Sequence, residues 1–186
     1  MRIGIIVGSI RPGRKGLVVG QWVHALAAQR SSAEYELVDL LEYNLPLLDE
    51  PVPPVMGSPP AHEHTRRWAA KIASLDGFVM VTPEYNKGPP ASLKNALDFL
   101  YKEWNNKAVG FVGYGGTGAV RSIEMLRSVC SNLDLADVRV AVGLSLMHDF
   151  ENFTTFKPQA HHEKTVAQLL DQVEAWAGAL QPLRKT

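Results

Sequence analysis

The sequence predicts an α/β protein: a three-layer sandwich whose central five-stranded parallel sheet runs in the order 2-1-3-4-5. Three observations point there. Short Val- and Ile-rich runs alternate with longer segments of helical period, in the order βαβαβαβαβα. Several runs are apolar on consecutive residues, which marks strands covered on both faces, and parallel strands joined by right-handed helical crossovers meet that requirement. Five strands favour this order over the six-stranded dinucleotide-binding arrangement.

The order 2-1-3-4-5 is the flavodoxin-like one. Its first strand, residues 2–7, reads Arg-Ile-Gly-Ile-Ile-Val and runs into a glycine-rich loop. A helical segment over 16–29 and a strand at 36–40 follow. Residues 41–60 hold Pro46, Pro51, Pro53, Pro54, Pro59 and Pro60, a density that stiffens a loop and excludes regular structure. Helix 61–73, strand 77–82, helix 90–104, strand 108–112, helix 120–133 and strand 138–144 come next, and a last helix spans 161–180. Residues 145–158, with Met147, Phe150, Phe153 and Phe156, form a second irregular stretch. Both irregular stretches follow strands, so they emerge at the carboxyl edge of the sheet.

In the helix from Pro90 to Trp104, Leu93, Ala96, Leu97 and Leu100 make one apolar stripe. Tyr101 and Trp104 widen it beyond what one sheet face needs, and the excess suits an oligomer contact. Asp98 and Lys102 are four apart, in the favourable orientation for a helical ion pair. Trp68 and Trp176 also occupy helical apolar positions and read as packing or interface residues.

At 186 residues, 46% apolar and 20% charged, the chain reads as one domain, residues 1–186, with a core that needs no disulfide or structural metal. Lys plus Arg and Asp plus Glu each number 19, and a net charge of zero argues against a nucleic-acid partner. No run approaches the roughly 18 to 20 consecutive apolar residues of a membrane span, and no charged leader precedes the first strand. The chain reads as cytoplasmic, with no membrane partner. Cys130, the single cysteine, falls beside Val129 and Leu133 in a helix and reads as a small buried hydrophobe. No metal site is expected. His62 and His64 are two apart, on different sides of a helix, and His161 and His162 lack a third ligand, so solvated or capping roles suit them.

The zero sum hides an asymmetry. Residues 1–33 contain Arg2, Arg11, Arg14, Lys15 and Arg30 and no acid, a local charge of +5. Three of those cations crowd into 11–15, which points to an anion site.

Ligands of open α/β sheets bind at the carboxyl ends of strands where the strand order reverses, here beside the first, third and fourth strands. The three loops there are the most unusual segments of the chain. The first, Gly8-Ser9-Ile10-Arg11-Pro12-Gly13-Arg14-Lys15-Gly16, offers close backbone approach, a helix N-terminus, a hydroxyl and guanidinium groups, all suited to phosphate oxygens. Arg14 and Lys15 stand where a nucleotide-triphosphate loop needs Lys and Ser/Thr, so a phosphate held without metal is expected. A solvated basic turn is the alternative.

The second loop, Thr82-Pro83-Glu84-Tyr85-Asn86-Lys87-Gly88-Pro89-Pro90, is stiff and sharply bent, able to present backbone N–H and C=O groups to a flat polar ring. Glu84 and Asn86 can equally serve as turn caps. The third, Gly113-Tyr114-Gly115-Gly116-Thr117-Gly118, matches Gly-x-Gly-x-x-Gly, but no acid stands at the end of the next strand as a dinucleotide fold requires. Its glycines read as a surface that a ring touches through backbone, or as a turn without ligand. A phosphate cradle beside two backbone-rich loops describes a long, flat, phosphorylated ligand, and flavin mononucleotide (FMN) has that shape.

At these same residues the chain resembles the NADPH-dependent FMN reductase family of quinone, azo-dye and chromate reductases. The resemblance rests on Gly8-Ser9-x-Arg11, on Pro83-Glu84-Tyr85-Asn86 running through Gly88, Pro90 and Leu93-Lys94-Asn95 to Asp98, on Tyr114-Gly115-Gly116, and on Leu45-Pro46-Leu47-Leu48-Asp49-Glu50. It implies phosphate contacts from Ser9 and Arg11, ring contacts from Pro83, Glu84, Tyr85 and Asn86, and further contacts at Gly115 and Gly116. Gly16 and Thr117 complete the candidate cofactor-binding set. Many members have Ser where this chain has Arg14, which then either adds a second cation for the phosphate or points into solvent. The resemblance also implies a homodimer or homotetramer through the helix Pro90 to Trp104.

The function expected is hydride transfer from NADPH or NADH through FMN to a quinone or similar small-molecule acceptor, in a ping-pong order, with the chemistry on the flavin and no catalytic side chain. The alternatives are a flavodoxin-like electron carrier, against which the zero net charge weighs, and a regulatory protein that binds flavin without turnover.

Overall fold

The computed structural model describes residues 1–184. Strands β1 (Arg2–Val7), β2 (Glu34–Asp39), β3 (Gly77–Pro83), β4 (Lys107–Gly115) and β5 (Leu135–Ser145) form one parallel sheet in the order β2-β1-β3-β4-β5. Helices α1 (Gly16–Ala27), α2 (Leu40–Tyr43), α3 (Glu63–Ala73), α4 (Ala91–Asp98), α5 (Val120–Asn132) and α6 (His161–Leu180) complete the sandwich with a two-stranded ribbon, β6 (Phe150–Glu151) and β7 (Thr155–Phe156). No helix among the described residues is long and apolar enough to cross a membrane.

Alternate side chains of each inner strand go to opposite layers, so consecutive positions are all apolar. Ile6, Phe78, Met80, Val109 and Phe111 pack with residues of α3, α4 and α5. Ile3, Ile5, Val79, Val81 and Val112 pack with α1 and α6. The tightest joint is at α4. Fully buried Trp68 and Trp104 donate their indole N–H groups to the carbonyls of Ala96 (2.8 Å) and Leu97 (3.2 Å). Those carbonyls belong to the last turn of α4, past the reach of the regular helical ladder, and the Leu97 carbonyl also accepts the Leu100 N–H at 3.4 Å.

This joint revises the reading of the segment 90–104. The helix stops at Asp98, and Trp104 folds back into the core instead of continuing a surface stripe. Leu93, Ala96, Leu97 and Leu100 are buried with it, so these side chains and Trp104 pack inside the subunit. The expected Asp98–Lys102 pair is replaced by Lys94–Asp98 at 2.7 Å, because Lys102 lies past the helix end. Cys130 is buried in α5 as expected, and burial pushes its thiol up to about 12.

The other corrections are local. Strand β2 ends at Asp39, whose side chain accepts the Leu41 N–H (3.0 Å) and caps α2, so Leu40 starts a helix. The proline-rich loop also holds a 3-10 turn at Pro54–Met56. His62 precedes α3 in extended backbone, which lets its ring stack on His64 at 5.3 Å rather than diverge from it. His162 is buried rather than solvated, 3.1 Å from the Asp149 carboxylate. That carboxylate also accepts the Ser145 N–H (2.7 Å) and the Gln159 N–H (2.9 Å), so the stretch 145–158, expected to be irregular, is organised around one buried acid.

Candidate functional site

Val7 pairs with Val81 and Val81 with Val112, so β1, β3 and β4 end side by side and the loops after them leave one edge of the sheet. Residues far apart in sequence are tied together there. The Gly8 N–H donates to the Val81 carbonyl (2.9 Å), and the Ser92 hydroxyl at the start of α4 donates to the Gly8 carbonyl (2.6 Å). Ser9 is fully buried, and its hydroxyl shares a hydrogen bond with the Tyr85 hydroxyl at 2.8 Å. Arg11 Nε donates to the same Tyr85 oxygen at 3.3 Å.

The first loop then turns through Gly13, at φ +70°, with the Arg14 N–H on the Arg11 carbonyl (3.0 Å), and enters α1. That helix starts without a side-chain cap and without an acid in its first turn. Its first-turn N–H groups, Gly16 to Val18, lie ahead of the first helical bond, from Val19 to Lys15, and form a positive helix end flanked by Arg11 and Lys15.

In the second loop, Tyr85 and Gly88 exchange N–H···O bonds of 2.9 and 3.0 Å around a two-residue turn. Asn86 and Lys87 both sit in the left-handed region, at φ +50° and +69°, and the lysine there carries strain of about 1–2 kcal/mol. The Glu84 carboxylate accepts the Arg121 backbone N–H (3.1 Å) and guanidinium (2.6 Å). Its side chain therefore binds the start of α5.

The glycines of the third loop divide into two kinds. A Cβ at Gly113 would lie 2.5 Å from the Gly118 carbonyl oxygen, and one at Gly118 would lie 3.0 Å from Gly143 Cα. These two serve close packing of loop on sheet. Around Gly116 a Cβ would meet nothing within 4 Å, and at Gly115 nothing nearer than 3.6 Å. The Gly115 carbonyl is held by the N–H groups of Gly118 (3.3 Å) and Leu146 (3.0 Å), which ties the turn to the long loop after β5.

Two hollows open on this edge. One, of about 130 Å³, is lined from all three loops: Arg11 and Lys15, Pro83 to Tyr85, and Tyr114 to Gly116, with Leu146 beside them. The other, of about 450 Å³, is largely apolar and lies between Ser9, Ile10 and Arg11, the segment Leu40 to Leu47, and the start of α4. Arg11 and Tyr85 form their common wall. Burial beside Tyr85 raises the Tyr114 hydroxyl above its ordinary value, so it stays protonated.

Of the candidate residues, Ser9, Arg11, Pro83, Glu84, Tyr85, Gly115 and Gly116 line one or both hollows. Asn86 and Thr117 lie exposed at the tips of their turns. Gly16 is buried, with a would-be Cβ 2.9 Å from the Tyr114 hydroxyl, and so serves packing. Arg14 takes neither of its two expected positions: it is paired with Asp39 at 2.5 Å. The uncapped helix end, its two flanking cations and the open glycine turn fit a flat ligand that carries a phosphate.

A family model described as NADPH-dependent FMN reductase matches residues 1–149. The chain belongs to that family. It is 42% identical over 149 residues to an NAD(P)H-dependent FMN reductase of Schizosaccharomyces pombe, covering 80% of this chain and 74% of that one. It is 32% identical over 143 residues to a 2-hydroxy-1,4-benzoquinone reductase of a Burkholderia species, covering 73% of each chain. Among solved structures it resembles the flavoenzyme NAD(P)H:(acceptor) oxidoreductase FerB of Paracoccus denitrificans, with a TM-score of 0.68 over 97% of each chain at 21% identity, a likeness of fold.

Two stretches that carry the FMN reductase resemblance touch each other. Asn95 of the Leu93-Lys94-Asn95 motif donates to the Pro46 carbonyl (2.6 Å) and accepts the Leu48 N–H (3.0 Å), pinning the proline-rich loop against α4. Sequence reasoning missed Asp39, Arg121 and Ser92, each of which holds one of the three loops from outside it. Nothing local in the sequence marks them, since each acts across more than 20 positions.

Proposed function

We propose that this member of the FMN reductase family oxidises NADPH or NADH and reduces a quinone or similar small-molecule acceptor in two separate half-reactions. The observation that carries this reading is the hollow lined at once by the loops after β1, β3 and β4. When bound there, FMN supplies the hydride chemistry that links the nicotinamide to the acceptor.

The chain's own residues supply position and charge. Arg11, Lys15 and the uncapped start of α1 would hold the phosphate, with the buried Ser9 hydroxyl beside them. Pro83 to Asn86 and the Gly115-Gly116 turn would bear on the ring through backbone. Glu84 takes part by fixing its loop to Arg121 rather than by presenting its carboxylate. No side chain of the site is assigned proton transfer. Because the three loops close around the hollow from the sheet side, nicotinamide and acceptor must use the remaining face in turn, which gives a ping-pong order.

The test is direct. Protein reconstituted with FMN and mixed anaerobically with NADPH or NADH is expected to lose its visible flavin band without any acceptor present. Recovery of the band on adding a quinone completes the second half-reaction. Failure of both nicotinamides to bleach the band would overturn the proposal.

A further inference from the structure

We propose that Asp39, through its ion pair with Arg14, is a positioning residue that shapes the 8–16 loop to select a phosphate-bearing ligand. The inference rests on the FMN reading above and adds to it a residue outside all three loops. Arg14 belongs to the most cationic stretch of the chain, yet its guanidinium faces inward to the Asp39 carboxylate at 2.5 Å, with the two side chains only 11% and 9% exposed. Its Nε is buried with no hydrogen-bond partner among the described residues, so the guanidinium's polar hold is the one carboxylate. The other oxygen of that carboxylate accepts the Leu41 N–H at 3.0 Å. Asp39 thus joins the end of β2, the start of α2 and the loop ahead of α1.

The consequence reaches the anion site in one step. The Arg14 N–H bonds the Arg11 carbonyl (3.0 Å), so anchoring Arg14 anchors the turn that carries Arg11 and leads into the first N–H groups of α1. A buried charge deprived of its partner does not stay in place, because an uncompensated charge in that setting is strongly unfavourable. Without Asp39, Arg14 is expected to swing out and the turn to lose its fixed shape.

The sign of the effect separates this role from plain electrostatics. Coulomb's law makes a nearby carboxylate an opponent of phosphate, so neutralising it would tighten FMN binding. Positioning predicts the reverse. The experiment titrates the apoprotein with FMN and with riboflavin, which lacks the phosphate, and follows flavin fluorescence in the wild type, in Asp39→Asn, and in Arg14→Met combined with Asp39→Leu. Apoprotein melting is recorded alongside. The double variant replaces the buried pair by apolar side chains, a change that commonly preserves stability, and it decides the question should Asp39→Asn fail to fold.

In both variants the FMN dissociation constant is expected to rise at least about tenfold while that of riboflavin stays within about twofold. Unchanged or tighter FMN binding would overturn the proposal, as would an equal weakening of both flavins, the mark of a merely structural role. A wild type that binds neither flavin refutes the FMN reading itself and this inference with it. A wild type and variants that share the same preference for FMN refute this inference alone.

Discussion

Gly113→Ala is expected to lower stability by about 1–3 kcal/mol and to weaken FMN binding more than tenfold, although residue 113 lines neither hollow. The added methyl would sit 2.5 Å from the Gly118 carbonyl oxygen, 2.8 Å from Ala119 Cβ and 2.9 Å from Ile123 Cδ1. The first of these is backbone and cannot rotate away. Relief requires the 115–119 turn to lift from the sheet, and that turn supplies Gly115 and Gly116. Ala119, already left-handed at φ +59°, gives the turn little freedom to adapt. Thermal melting and FMN titration check both effects. Gly116→Ala is the control, because its methyl meets open space and stability should stay within about 0.5 kcal/mol. Wild-type FMN affinity in Gly113→Ala would show that the third loop takes no part in binding.

Arg11→Ala is expected to weaken FMN binding by about 10- to 100-fold, the worth of one charge-assisted contact, about 1.5–3 kcal/mol. Riboflavin binding should hardly change. Arg11 is exposed, and its side chain touches the fold through a 3.3 Å hydrogen bond to the Tyr85 hydroxyl and a guanidinium 5.9 Å from the Tyr85 ring centre, while its backbone bonds survive truncation, so melting of the apoprotein should hardly move. The loss should shrink as salt rises, since the contact is accessible to screening ions. Equal losses for FMN and riboflavin would place the phosphate elsewhere.

How much of this was legible in the sequence depends on the range of the interaction. The parallel, doubly covered strands were legible in consecutive apolar runs such as Ile3 to Val7, because burial on both faces leaves its mark on every residue, and their number, five, pointed to the order. The three loops were legible because glycine, proline and clustered cations are local signals. The end of α4 was not, since it is set by Trp68 reaching from α3 to the Ala96 carbonyl and by Trp104 folding back on Leu97. The role of Arg14 was hidden for the same reason: its partner, Asp39, is 25 positions away, and a cation in a cationic loop reads as facing either the anion or solvent.

The glycine-rich third loop shows a subtler limit. Gly113 and Gly118 are indistinguishable from Gly115 and Gly116 in sequence, yet the first two are needed for contact with Gly118 and Gly143, while a Cβ at Gly115 would make only ordinary contacts from 3.6 Å and Gly116 faces open space. Only coordinates separate a glycine that permits packing from one that permits a ligand.

A crystal structure of the protein soaked with FMN decides where the flavin binds. The phosphate is expected at the start of α1 beside Ser9 and Arg11, and the ring against Pro83 to Tyr85 and the Gly115-Gly116 turn. Flavin density confined to the apolar hollow between Leu40, Leu47 and α4, with the start of α1 bare, would contradict that placement.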